Sequence, residues 1–142
     1  MTVRPLAEPD RAGWVPLWED YNSFYRHRAE PEVTELTFTR LCAGEEMFGL
    51  VAEHDGRVAG FAHCLLHPST WTTASYCYLE DLFVDRGARG TDLGTALIEA
   101  VSTEANARGA VRVYWHTQEY NGAARSLYDQ VARRTSFIKY ER

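Results

Sequence analysis

Between Arg86 and Gly94 the chain reads Arg-Gly-Ala-Arg-Gly-Thr-Asp-Leu-Gly, directly before apolar residues spaced three or four apart at Leu93, Leu97, Ile98, Val101 and Ala105. That pattern predicts a glycine-rich turn opening a helix. The first turn of a helix has unpaired backbone N–H groups and a partial positive charge, and glycine lets an anion come close to the main chain. The chemistry on offer is phosphate binding. A βα turn with surface arginines is the plainer alternative. The spacing is neither GxGxxG nor GxxxxGK[ST], which sets aside a dinucleotide fold and a P-loop nucleotidase.

Glu80 and Asp81 lie just upstream, inside the run Tyr76 to Val84. Strict alternation on a strand sends adjacent side chains to opposite faces, so these carboxylates are not expected to act as a dyad. His63, Cys64 and His67 come nearest to a metal cluster. His63 and Cys64 alternate in the same way and no further thiol or imidazole stands at ligand spacing, so no metal is expected.

The elements that must position these residues follow from periodicity. Thr2 to Leu6 reads as a short strand. Trp14, Leu17, Trp18, Tyr21 and Tyr25 recur at helical spacing, with Pro16 expected to open that helix late or to kink it. Pro31 to Ala43 reads as a second helix. Phe48 to Glu53 and Val58 to Leu66 read as strands joined by an Asp55-Gly56 hairpin, and His67 to Thr73 as a loop. Tyr76 to Val84 is a long strand and the run from Leu93 a third helix, stopped by Gly109. Val111 to Trp115 is a strand, Ala123 to Val131 a fourth helix and Phe137 to Tyr140 a final short strand.

The 142 residues suit one domain, residues 1–142, with 45% hydrophobic and 25% charged residues, as in ordinary globular chains. Net charge is −5, the wrong sign for a phosphate-backbone binder, so nucleic acid is not an expected partner and a cationic substrate is favoured. Cys42, Cys64 and Cys77 are odd in number and lack CxxC spacing, which predicts reduced thiols and a cytoplasmic protein. The start Met1-Thr2-Val3-Arg4-Pro5 has no apolar leader, and no run approaches the ~18 apolar residues of a membrane span, so no membrane partner is expected.

Three segments together resemble a known family. Tyr78-Leu79-Glu80-Asp81-Leu82-Phe83-Val84-Asp85, then Arg89-Gly90-Thr91-Asp92-Leu93-Gly94, then Asn121-Gly122-Ala123-Ala124-Arg125-Ser126-Leu127-Tyr128 are similar in order and spacing to the GNAT superfamily of acetyl-CoA-dependent N-acetyltransferases. The stretch around Glu80 is locally similar to polyamine and diamine acetyltransferases. The resemblance implies an α/β (α+β) fold. Its central mixed sheet is mostly antiparallel, contains a splayed strand pair and is flanked by about four helices.

In such a fold Leu82, Phe83 and Val84 diverge from the following strand and offer free backbone groups to the pantetheine arm of acetyl-CoA. Arg89, Gly90, Thr91, Asp92, Leu93 and Gly94 would cradle the pyrophosphate, and Asn121 would contact the cofactor arm. Tyr128 would lie near the sulfur as general acid. Glu80 is the leading base and His116 the rival, with water alone a third route; an alkylammonium near pKa ~10.4 needs some proton acceptor at neutral pH. Asp81, Glu80 and Tyr25 are the expected substrate contacts. Asp92 departs from the family's glycine, where its charge would either repel phosphate or cap the helix while pointing away. Ala132 to Phe137 also departs, lacking the family's Gly-Phe.

The implied function is direct acetyl transfer to a primary amine of a small molecule, polyamine-like or amino-sugar-like, through a ternary complex. The alternatives are acetylation of a protein lysine or N-terminus and, in another class, a non-catalytic acyl-CoA-binding domain. Pairing as a homodimer is a further expectation.

Overall fold

A computed structural model describes all 142 residues, Met1–Arg142. β1 (Thr2–Pro5) leads through a single 3-10 turn into α1 (Arg11–Phe24), followed by α2 (Pro31–Ala43). Then come β2 (Met47–His54), β3 (Arg57–Pro68), β4 (Ser75–Val84), α3 (Leu93–Ala107), β5 (Ala110–Tyr114) and α4 (Gly122–Val131). One mixed sheet of order β1-β2-β3-β4-β5 runs through the molecule, antiparallel except where β4 meets β5.

Local chemistry explains most of these boundaries. Asp55 and Gly56 turn the β2–β3 hairpin with φ of +53° and +74°, the pair of positive values that a two-residue turn needs to match strand twist. Pro16 neither delays α1 nor ends it. The helix starts five residues earlier, and Pro16 and Ala12, whose carbonyl it deprives of a partner, both lie on the solvent face where water can replace the lost bond. β3 outlasts its expected end, because His67 and Pro68 still pair with Tyr76 and Ser75; a strand-terminal proline gives up no needed donor.

Apolar side chains fill both faces of the sheet. α3 covers one face with Leu93, Leu97 and Val101 against Leu50, Cys64, Cys77 and Leu79. α1 and α2 cover the other with Trp14, Leu17, Trp18, Phe38 and Leu41 against Val51 and Phe61. Each fully buried side chain of this size contributes roughly 1.5–3 kcal/mol.

Two irregularities shape the site. In β4, Leu79 pairs with Cys64 and Asp81 with the adjacent His63, which leaves Glu80 as an extra residue in a β-bulge. Strict alternation therefore fails here: Leu79 and Leu82, three apart, both pack toward α3. The second irregularity is that β4 pairs with β5 only from Ser75 to Tyr78 and then continues alone to Val84. A gap opens between the two strands, as the splayed-pair expectation required.

The expected strand at Phe137 to Tyr140 does not form, and Phe137, Ile138 and Tyr140 are exposed. Ala132-Arg133-Arg134-Thr135 contains no glycine, asparagine or proline, so nothing local reverses the chain onto the free edge of β5. No helix is long and apolar enough to cross a membrane.

Candidate active site

The turn after β4 is built to present amides. Arg86–Ala88 form a short 3-10 turn, Gly90 takes φ of +82°, and the first helical bond of α3 runs from Ala96 N–H to the Asp92 carbonyl at 2.9 Å. The backbone N–H groups from Gly90 to Thr95 have no partner within the protein. Six donors at one helix start fit a polyanion such as a diphosphate. Arg89 is tethered beside them, with Nε donating to the Val84 carbonyl at 3.3 Å and its guanidinium 5.9 Å from the Phe83 ring. The exposed Thr91 turns its hydroxyl back on the chain and donates it to the Ala88 carbonyl.

Asp92 occupies the N-cap position of α3, yet its side chain makes no capping bond. The capping alternative for Asp92 is not what the structure shows. Gly94 serves packing: a Cβ there would stand 3.0 Å from Leu127 of α4. Leu82, Phe83 and Val84, half-buried, pair with β3 on one side and with no strand on the other, where only the Val84 carbonyl is taken up, by Arg89, so their outer edge can accept an added extended chain.

Where β4 and β5 part, a cleft opens to solvent. Glu80 and Leu82 enter it from β4, Trp115 and His116 from just past β5, and Tyr128 from α4. Tyr21 and Tyr25 close it from the C-terminal end of α1. The three candidates for proton transfer, Glu80, His116 and Tyr128, thus share one cleft despite lying on three elements. Asp81 does not line it; its carboxylate turns to His63 at 2.9 Å.

Electrostatics differ among the three. Glu80 has its carboxyl raised above the usual range by partial desolvation first and by the charge of Asp81 second, with His63 opposing. The Tyr128 phenol is pushed up by burial, then by Tyr25, and so keeps its proton at neutral pH. His116 is exposed and shares a 3.2 Å hydrogen bond between Nδ1 and the Tyr78 hydroxyl. Asn121 caps α4, its Oδ1 accepting from Ala124 N–H at 3.4 Å. Trp115, edge-on to Tyr128 with ring centroids 5.4 Å apart, fixes the ring that carries the phenol.

Sequence reasoning passed over Trp115 and Tyr21 as site residues. Tyr21 belongs to the aromatic stripe of α1, where core and cleft positions carry the same residue type. Trp115 was assigned to a strand and gave no separate signal. No group of three or more His, Cys, Asp or Glu is arranged to hold a metal ion.

Residues 14–132 match the sequence model of the acetyltransferase (GNAT) family. The chain belongs to the GNAT family. As a GNAT protein it is an acetyl-CoA-dependent acyltransferase, and the fold expectation stands with it. It is 34% identical over 145 residues to the D-amino-acid N-acetyltransferase HPA3 of Saccharomyces cerevisiae, covering 100% of this chain and 90% of that protein. It is 30% identical over 142 residues to the N-acetyltransferase YhfO of Bacillus subtilis, covering 99% and 95%. Among solved structures, aminoglycoside acetyltransferase AAC(6')-Iy with a bisubstrate analogue superposes with a TM-score of 0.86 at 16% identity, over 99% of this chain and 96% of that one. The ribosomal-protein-alanine N-acetyltransferase of Brucella melitensis biovar Abortus 2308 superposes with a TM-score of 0.82 at 20% identity, over 99% and 98%. At these identities the two structures speak for the GNAT fold alone.

Proposed function

We propose that this GNAT protein transfers acetyl from acetyl-CoA directly to a primary amine of a small molecule, polyamine-like or amino-sugar-like, within a ternary complex. The observation that carries the reading is the meeting of Glu80, His116 and Tyr128 in one cleft beside the open edge of β4. Acetyl-CoA, when bound, supplies an activated acyl carbon. The protein's own residues then do three things. The unpaired amides from Gly90 to Thr95, with Arg89, hold the diphosphate; the free edge at Leu82, Phe83 and Val84 aligns the arm; Asn121 flanks it. Glu80 takes a proton from the incoming ammonium, either directly or through water, so that the nitrogen attacks with a free electron pair. As the C–N bond forms and the C–S bond breaks, Tyr128 gives its phenolic proton to the departing thiolate, and the second proton shed by the nitrogen restores the phenol through water.

The substrate class rests on charge. The cleft wall carries the Glu80 carboxylate and aromatic faces from Tyr21 and Tyr25, with no lysine or arginine. That suits an ammonium and gives a substrate carboxylate no lysine or arginine to pair with. A D-amino acid is the second reading, favoured by the 34% identity to a protein bearing that name. Acetylation of a protein lysine or N-terminus is the wider enzymatic alternative.

A cytoplasmic setting is proposed from three free cysteines. A homodimer is proposed from the unpaired outer edge of β5 and the exposed Phe137, Ile138 and Tyr140.

Thiol release from acetyl-CoA, measured over diamines, amino sugars, D- and L-amino acids and basic peptides, tests the proposal. Turnover greatest with diamines or amino sugars is the expected result. Preference for amino acids would select the second reading, and uptake of acetyl-CoA without turnover on any of these amines would overturn both.

A further inference from the structure

Beneath the cleft runs a buried polar chain that the transfer chemistry above does not use. Trp14, fully buried in α1, donates its indole N–H to Nε2 of His63 at 3.0 Å. An indole can only donate, so Nε2 is the acceptor and the imidazole proton sits on Nδ1. Nδ1 therefore donates to Asp81 Oδ2 at 2.9 Å. His63 is 2% exposed and is clamped face to face against Phe61, with ring centroids 4.2 Å apart. Its tautomer and its orientation are both fixed.

Asp81 is the outer end of this chain. Its side chain is 16% exposed, and it accepts its hydrogen bond from that neutral imidazole; no lysine or arginine pairs with it. A carboxylate held this far from water is costly unless something polar holds it. The residue before it is Glu80, set in the bulge, and Tyr21 from α1 lies against it. The titratable groups around Glu80 are thus Tyr78, Asp81 and His63 from the sheet, Tyr21 from α1 and Tyr25 at its end, His116 past β5 and Tyr128 from α4.

We propose that His63 is a positioning residue for the transfer reaction. Locked by Trp14, it fixes the orientation of the Asp81 carboxylate beside Glu80, so that the ammonium substrate meets a negative field. The inference rests on Glu80 being the base. It assigns His63 and Trp14, which touch neither substrate nor cofactor, a part in setting the acceptor side.

The test compares His63→Phe, which keeps the stacked ring and removes both nitrogens, with Asp81→Asn, the double variant and His63→Asn, whose amide can still donate from the Nδ1 position. The readouts are the acidic limb of kcat/KM against pH for a diamine, KM for that diamine, and acetyl-CoA affinity by calorimetry. Asp81→Asn should move the limb to lower pH, and His63→Phe and Asp81→Asn should each raise KM about fivefold, the worth of one charge at ~4 Å in water, with acetyl-CoA affinity unchanged. The double variant should raise KM no further than Asp81→Asn, and His63→Asn should restore it. An unmoved limb in folded Asp81→Asn, or a His63→Phe variant that loses thermal stability alone, would overturn the proposal. Glu80→Gln separates the two levels: if the acidic limb survives in that variant, the base assignment fails, whatever His63 does.

Discussion

Gly94 at the start of α3 and Leu127 of α4 meet so closely that a methyl group on Gly94 would stand 3.0 Å from Leu127 Cδ2. The helix that presents the free amides and the helix that carries Tyr128 are thereby locked together one residue away from the phenol. Gly94→Ala should change stability little, because gained helix propensity of up to ~1 kcal/mol offsets a contact that a leucine tip can relieve. Gly94→Val cannot be relieved so simply. It should cost roughly 1–3 kcal/mol and lower kcat, checked by thermal melts alongside thiol release.

Tyr128→Phe should lower kcat by about 10²-fold or more, the usual contribution of a positioned general acid, while acetyl-CoA affinity changes less than threefold, or about 0.6 kcal/mol. Steady-state kinetics with calorimetry decide this. Equal losses in both would make Tyr128 a packing partner of Trp115 and nothing more.

Asp92 stands at the mouth of the amide turn without a capping bond, so removing its charge should leave α3 intact. Asp92→Asn should tighten acetyl-CoA binding about fivefold, equivalent to ~1 kcal/mol of relieved repulsion, and the gain should shrink at high salt. Weaker binding by the variant would mean that the carboxylate supports the turn.

Glu80 predicts the shape of the pH profile. Desolvation, and then Asp81, raise its carboxyl, so the ionised form that accepts a proton appears only above the ordinary carboxylate range. Activity should rise with pH through that raised value, and Glu80→Gln should abolish the limb. The same shift makes a stability claim of opposite sense. A group that binds its proton more tightly when folded destabilises the native state as pH rises from its unfolded to its folded value, so Glu80→Gln should be no less stable than the parent at neutral pH.

Acid stability should be governed at the other end of the sheet. Arg4 of β1 grips both oxygens of Asp10 at 2.8 Å and also bonds Glu53 of β2, while Asp10 Oδ2 accepts the Ala7 N–H at 2.8 Å. The Arg4 guanidinium holds the Asp10 carboxyl below its usual value, with the Ala7 bond assisting against desolvation. Such a group stabilises the fold above its unfolded value of 3.8 and loses that contribution as pH falls through its folded value. Asp10→Asn should therefore cost about 2 kcal/mol near neutrality and much less under strong acid, as denaturant titrations at the two pH values would show.

Sequence spacing carried the locally encoded features of this protein. The hairpin at Asp55-Gly56, the amphipathic stripes of α1 and α3, and the glycine-rich turn at a helix start are each set by residues within a few positions of one another, where turn geometry and helical periodicity act directly. The motifs around Glu80, Arg89 to Gly94 and Asn121 to Tyr128 announced the family for the same reason. Tertiary structure decided what depends on register between distant strands. The bulge that frees Glu80 from alternation comes from how His63 and Cys64 pair across β3 and β4. The cleft exists because β5 releases β4 after Tyr78. Asp81 turns to a buried imidazole rather than into the cleft, and Phe137 to Tyr140 stay unpaired, because hydrogen-bond partners 18 residues away or absent altogether leave no mark in local spacing.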